Sequence, residues 1–291
     1  MRANFAALCL SLFAGAMVCS AQTAPDGAAP IGQAGYSSVY CSGFLKDTKV
    51  SEETQIVSAE QSSYKIVFTR GDYVHINQGE DKGIRVGDRF MVVRPDADPA
   101  KSEWFKGQFR IMNAMGLLYR DLGQLRVVNV QPKISIAEIT FNCGYMQRGD
   151  LVRPYEERSA PPLKDESTFD HFAPVSGKPV GMVVASMDQG QSPGKGSTMY
   201  VNLGAAQGLK IGDYLRIFRY QGKVNETAPV TKNYQNESYG FGSSPTHYDW
   251  KDLPREILGE GVVLNASRNA STVMVTVSSA EIYTGDEVEI E

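Results

Sequence analysis

The chain repeats itself. Residues 74–94, VHINQGEDKGIRVGDRFMVVR, align without gaps on residues 199–219, MYVNLGAAQGLKIGDYLRIFR. Asn77, Gly79, Gly83, Gly87, Asp88 and Arg94 match Asn202, Gly204, Gly208, Gly212, Asp213 and Arg219. A second block, residues 122–152, aligns on 258–288, with identities that include Gly123/Gly259, Asn129/Asn265, Ser135/Ser271, Thr140/Thr276, Gly149/Gly285 and Asp150/Asp286. The two blocks hold 15 identities in 52 positions, where about three are expected from average composition. Such a duplication restricts the fold to two copies of one supersecondary unit. The offset is 125 in the first block and 136 in the second, so the connection between blocks is longer in the second copy. Insertions of this kind map to loops.

Within each copy the segments are short, β-branched and aromatic: YVHIN, RFMVVR, QLRVVNV and ISIAEITF, then MYVNL, YLRIF, GVVLN and TVMVTV. This pattern predicts strands. Between them, Gly79, Gly83 and Gly87-Asp88 read as structural turns, as do their duplicates Gly204, Gly208 and Gly212-Asp213. Glycine suits positive φ or close backbone approach, and the following Asp accepts hydrogen bonds from the turn. Ile84 and Val86 are expected to point inward. Gly149-Asp150 and Gly285-Asp286 repeat the turn before a closing strand. Five or six short strands per copy predict an all-β chain of two tandem small barrels, since closure removes exposed edges. The expected boundaries are 37–155 and 179–291 for the modules, 156–178 for a Pro-rich linker and 22–36 for a flexible leader.

Residues 1–21 read as a signal peptide, with Arg2, an apolar stretch from Phe5 to Cys19, and Ser20-Ala21 before Gln22. The stretch is short for a bilayer span, and Val18 before Cys19 argues against lipid anchoring. The expected location is therefore the periplasm or cell envelope. With 29 Lys and Arg against 33 Asp and Glu the formal charge is −4. Signal removal takes away only one basic residue, and an acidic balance argues against a nucleic-acid binder. It also leaves Cys41 and Cys143 as the remaining cysteines. In an oxidising compartment this isolated pair predicts a disulfide, two unrelated thiols being the alternative.

The run GEDKGIRVGDRFMVVRP, with LGQLRVVNV and RGDLVRP downstream, resembles the C-terminal SH3-like barrel domain of flagellar assembly protein T and related bacterial envelope modules. The resemblance covers about 80 residues of each copy. It implies SH3-like barrels in an envelope protein and carries over no catalytic residue. Endings such as Gly285-Asp-Glu-Val-Glu-Ile290 resemble, more weakly, the closing segment of peptidoglycan-binding LysM modules. LysM folds contain two helices, whereas this chain has little helical periodicity.

No catalytic, metal or cofactor pattern accompanies the repeat. Each Gly-Asp pair offers one carboxylate where a calcium loop needs several oxygen ligands. Gly190-Gln-Ser-Pro-Gly194-Lys195-Gly196 lacks the phosphate-loop spacing and reads as a hairpin tip. His75, His171 and His247 stand apart from any metal or nucleophile motif. The sequons at Asn225, Asn236, Asn265 and Asn269 read as turn composition. The inserts differ between copies and hold the candidate binding aromatics: Trp104 and Phe105 in the first, Tyr234, Tyr239, Phe241, Tyr248 and Trp250 in the second. Aromatics among Asn, Asp and Ser stack on sugars or anchor proteins, and equally they fold back to cap a barrel. The expectation is a non-enzymatic exported protein that binds or scaffolds peptidoglycan or an envelope protein. The alternatives are a polysaccharide or peptidoglycan hydrolase with a site between the barrels, and a structural subunit of a motility or secretion assembly.

Overall fold

The computed structural model describes residues 32–96, 103–220 and 254–291, and these belong to one compact unit. An arm of α1 (Tyr36–Tyr40) and β1 (Phe44–Lys46) comes first. The first module follows with β2 (Ile56–Ala59), β3 (Tyr73–Ile76), β4 (Arg89–Pro95), α2 (Gln108–Met115), β5 (Leu117–Val130), β6 (Ser135–Asn142) and β7 (Leu151–Pro154). The second comprises β8 (Val180–Ser186), β9 (Thr198–Val201), β10 (Tyr214–Tyr220), β11 (Arg255–Ala266), β12 (Ser271–Ser278) and β13 (Glu287–Ile290). The protein is mostly β, and strand for strand β8–β13 repeat β2–β7.

The second module is a closed six-stranded barrel in the order β10-β11-β12-β9-β8-β13. The first has the same neighbours in the order β2-β3-β6-β5-β4-β7, with β1 added on β5, but no ladder closes it. Its end strands meet at a single bridge, Gln55↔Leu151, supported by the amides of Ile56 on Asp150 O (3.0 Å) and Val152 on Thr54 O (2.8 Å). The expectation of closed barrels thus holds by ladder for one copy. The difference lies in strand length. Val180, Gly181 and Met182 of β8 pair with β13, whereas β2 has only four residues and is preceded by the polar run Ser51-Glu-Glu-Thr54.

Long strands must bend to wrap a small barrel, and β-bulges supply the bend. The β4–β5 register slips between Val92 and Val93, opposite Gly123. The β10–β11 register slips between Ile217 and Phe218, opposite Gly259. A Cβ would lie 2.1 Å from Phe141 O at Gly123 and 2.2 Å from Val277 O at Gly259, so the bend admits only glycine at either site.

Each module encloses its own apolar core, built on Val74, Ile76, Val92, Leu125 and Ile139 in the first and on Met199, Val201, Ile217, Val263 and Val275 in the second. Ile84 and its duplicate Leu209 are buried in these cores. Val86, expected to point inward, is instead 66% exposed, and its duplicate Ile211 is 47% exposed. Each stands just before the glycine at the corner of a Gly-Asp turn, which directs its side chain outward.

Two further apolar clusters cross the module boundary. Val39, Tyr40 and Met91 pack with Tyr214, Val262, Leu264 and Met274, and Leu45 and Met115 pack with Val184, Ala185 and Tyr200. The disulfide Cys41–Cys143 ties the arm to the end of β6. Residues 156–178 run along both modules, with Ala160 and Leu163 against the first of these clusters.

Candidate functional site

The repeated motif consumes its own polar groups. Asn77 Oδ1 accepts the Gln55 amide at 2.7 Å, and Asn202 Oδ1 accepts the Met182 amide at 2.7 Å, so each Asn stitches one strand end to its neighbour. A Cβ at Gly79 would stand 2.1 Å from Gln131 O, and one at Gly204 2.5 Å from Ala270 N. Gly83, Gly87, Gly149, Gly208, Gly212 and Gly285 all have φ between 80° and 92° or, at Gly87, 96°. In each Gly-Asp turn the carboxylate accepts the amide three residues back: Arg85 to Asp88 (2.8 Å), Gln147 to Asp150 (2.7 Å), Lys210 to Asp213 (2.8 Å) and Tyr283 to Asp286 (2.7 Å). Positive φ at the glycine in third position, with the Asp amide bonded back to the first carbonyl at 3.1–3.3 Å, fits a type II turn, and the Asp side chain adds a cap to it.

Two of these carboxylates also take a guanidinium. Arg94 donates to Asp150 from Nε (2.7 Å) and Nη2 (2.9 Å), and Arg219 donates to Asp286 from the same atoms (both 2.7 Å). The sequence alignment matches Arg94 with Arg219 and Asp150 with Asp286 as separate positions. Their recurrence in both copies was the signal that joins them. The bidentate bond to Asp150 holds the Arg94 guanidinium above its ordinary pKa, against the opposing effect of burial.

The first insert is an inter-module bracket. Phe105, Ile111 and Met112 pack onto the cluster of Val184, Ala185 and Tyr200. Trp104 stays 38% exposed, and its amide donates to Gln108 Oε1 at 2.8 Å. The Glu103 carboxylate accepts the amides of Gly107 and Phe109 at 3.0 Å, capping α2, and these bonds pull its pKa down. Tyr234, Tyr239, Phe241, Tyr248 and Trp250 lie outside the described residues, as does His247.

A third Arg–Asp pair, buried on both sides, fastens the arm and residues 156–178 together. Arg158 donates to Asp121 at 2.7 and 2.8 Å and to Val39 O at 3.0 Å, while the Gly43 amide gives Asp121 a third bond at 3.0 Å. Burial pushes the Asp121 carboxyl above its ordinary pKa, and Arg158 opposes that rise. Neither residue belongs to a repeat identity, so nothing in the pattern singled them out.

Among the described residues, two clefts lie at the module junction. One, of about 330 Å³, is lined by the disulfide, Arg94, Arg120, Asp121 and Tyr145 of the first module and by Met187 and Asp188 of the second. The other, of about 520 Å³, is lined by Phe44, Lys46, Arg153 and Glu157 on one side and by Ile211, Asn265 and Arg268 on the other. His75 lies on β3 and His171 against Phe169, and neither lines these clefts among the described residues. Among the described residues no helix is long and apolar enough to cross a membrane. No protein-family model matches the chain, and no curated protein matches it.

Proposed function

We propose that the chain is an exported, non-enzymatic envelope protein whose tandem SH3-like barrels bind or scaffold an envelope component, peptidoglycan or a protein of an envelope assembly. One observation carries this reading: the matched positions are absorbed by turns, bends and ion pairs, while most residues lining the junction clefts are unmatched. Tyr145 stands where the second copy has Glu281, and Arg120 where it has Glu256. Clefts at a module boundary with an aromatic and paired charges are where ligands are commonly held. The Cys41–Cys143 disulfide is compatible with an oxidising compartment.

The test is retention of the purified protein on sacculi and on immobilised envelope extract. The reading expects specific retention that Tyr145→Ala weakens while the fold, followed by near-ultraviolet circular dichroism, stays intact. No specific retention on either material rejects it. Release of soluble fragments from the sacculi would support the hydrolase reading in its place.

A further inference from the structure

Residues 162–178 lie as a strap over one face of the second barrel, and buried charges hold them. Tyr214 Oη accepts the Lys164 amide at 2.6 Å. Arg216 and Arg255 donate to Pro174 O at 3.3 and 2.8 Å, the Ser176 amide donates to Glu289 Oε2 at 3.3 Å, and Lys164 and Lys178 reach Glu291. Beneath the strap stand three carboxyl groups, Glu260 on β11 and Glu289 and Glu291 at the end of β13.

Two of the three differ in how they are satisfied. Glu289, fully buried, has Arg255 at 2.5 Å. Burial raises its pKa, but Arg255 and the Ser176 amide overcome that and hold it below the ordinary value. Glu291 Oε1 is buried with no donor in hydrogen-bond range among the described residues. Lys164 takes the other oxygen, Oε2, and Arg216 Nε, itself without a partner among the described residues, stands 3.7 Å from Oε1, too far to bond. Glu260 is 6% exposed and lies against Glu291. A proton on Glu260 is the donor that this orphaned oxygen needs.

We propose that a proton shared between Glu260 and Glu291 latches the 162–178 strap onto the second barrel, and that its loss as the pH rises toward neutrality loosens the strap. Burial, then the neighbouring Glu291, push the Glu260 carboxyl from its ordinary 4.5 up to about 7. Lys164 and Arg216 oppose this. The other groups on this face are Tyr214 on β10, Glu289 on β13, Arg255 on β11 and Lys178 on the strap, while β12 places the uncharged Val277 opposite Glu260. The sign follows from linkage: the latched state holds a proton that an open, solvated carboxyl releases near 4.5. Latching is therefore complete below about 4.5, weakens between about 4.5 and 7, and is flat above.

Hydrogen-exchange protection factors of the Lys164 and Ser176 amides, corrected for intrinsic pH dependence, test the latch at pH 5 and pH 8. The Val263 amide, bonded to Asp213 O inside the barrel, is the control. Protection of the strap amides is expected to fall about tenfold or more at pH 8 relative to the control. Glu260→Gln supplies a permanent donor to Glu291 Oε1 and should make strap protection independent of pH. A wild-type strap with equal protection at both pH values overturns the proposal. So does an undiminished pH response in Glu260→Gln, which would then belong to another group. Should the variant not fold, carboxyl carbon resonances of the wild-type protein decide: a Glu260 titration near 4.5 rejects the latch.

Discussion

The Gln108 side chain donates from Nε2 to the backbone carbonyl of Val184 at 2.7 Å, across the module boundary and with Gln108 only 1% exposed. Val184 sits where the β8–β9 register slips between Val183 and Ala185, so the bulge leaves its carbonyl without a ladder partner on β9. A polar residue in the first insert therefore completes the hydrogen bonding of the second barrel.

Replacing Gln108 with Leu keeps the volume and removes the donor. A buried carbonyl left unsatisfied costs about 1–3 kcal/mol, and the Trp104 amide would lose its acceptor as well. Urea denaturation should show that loss. Gln108→Glu should be worse near neutral pH, because a carboxylate would face the Val184 carbonyl oxygen. Equal stability of Gln108→Leu and the parent would mean that water or a backbone shift satisfies Val184.

The Arg94–Asp150 and Arg219–Asp286 pairs predict matched behaviour in the two modules. Asp150 and Asp286 are nearly inaccessible, and each also caps its turn. Removing either carboxylate strands a partly buried guanidinium and frees a turn amide, at a cost of about 3–5 kcal/mol. Asp150→Ala and Asp286→Ala should both fall in that range by thermal or denaturant unfolding, whereas Asp88→Ala, which loses a turn cap alone, should cost about 0.5–2 kcal/mol. A mild effect at Asp286 beside a severe one at Asp150 would show that the duplicated pairs have diverged in weight.

Much of the module was legible because the duplication repeats what the backbone requires. Gly79, Gly83, Gly123 and the Gly-Asp turns recur since each answers a steric or conformational demand that every copy must meet. The module junction was not legible, because its residues occur once. Tyr214, Val262 and Met274 are apolar where the first copy has Arg89, Arg126 and Glu138. One face is covered by the arm and the 156–178 segment, while its duplicate carries the exposed Arg126–Glu138 pair. Copy-to-copy comparison dilutes exactly the sites where the two faces have different neighbours. Val86 was misplaced for a related reason, since apolarity marks a turn corner as readily as a core position. Phe105 packs into the cluster between the modules, a place that neither expectation for the insert aromatics named.

The disulfide closes a loop of 102 residues between Cys41 and Cys143. On the chain-entropy account such a loop stabilises by about 4–5 kcal/mol. The paired Cys41→Ser/Cys143→Ser variant should lose up to that amount and shift its melting transition downward, with added reductant doing the same to the parent. Because Arg158–Asp121 and the Tyr200 bond to Ser42 O at 3.0 Å also hold the arm, the variant should stay folded at low denaturant. Global unfolding on reduction would assign the arm's attachment to the disulfide alone.

Two glycines of the same motif should respond differently to a single methyl group. Gly79 has φ −137°, which any residue adopts, but its Cβ would collide with the backbone at Gln131, Lys133 and Ile134. Gly83 has φ 80° with open space around it, so alanine there meets only the left-handed backbone cost. That cost is about 1–2 kcal/mol, whereas the Gly79 clash is with main-chain atoms held in the β5–β6 turn and requires the turn itself to move. Gly79→Ala should therefore destabilise more than Gly83→Ala, and the order should repeat for Gly204→Ala over Gly208→Ala, where Ala270, Ser267 and Arg268 form the matching wall. Denaturant midpoints of the four variants check this. A reversal in either module would mean that the close approach is relieved by a small shift of the turn, and that the left-handed position carries the greater constraint.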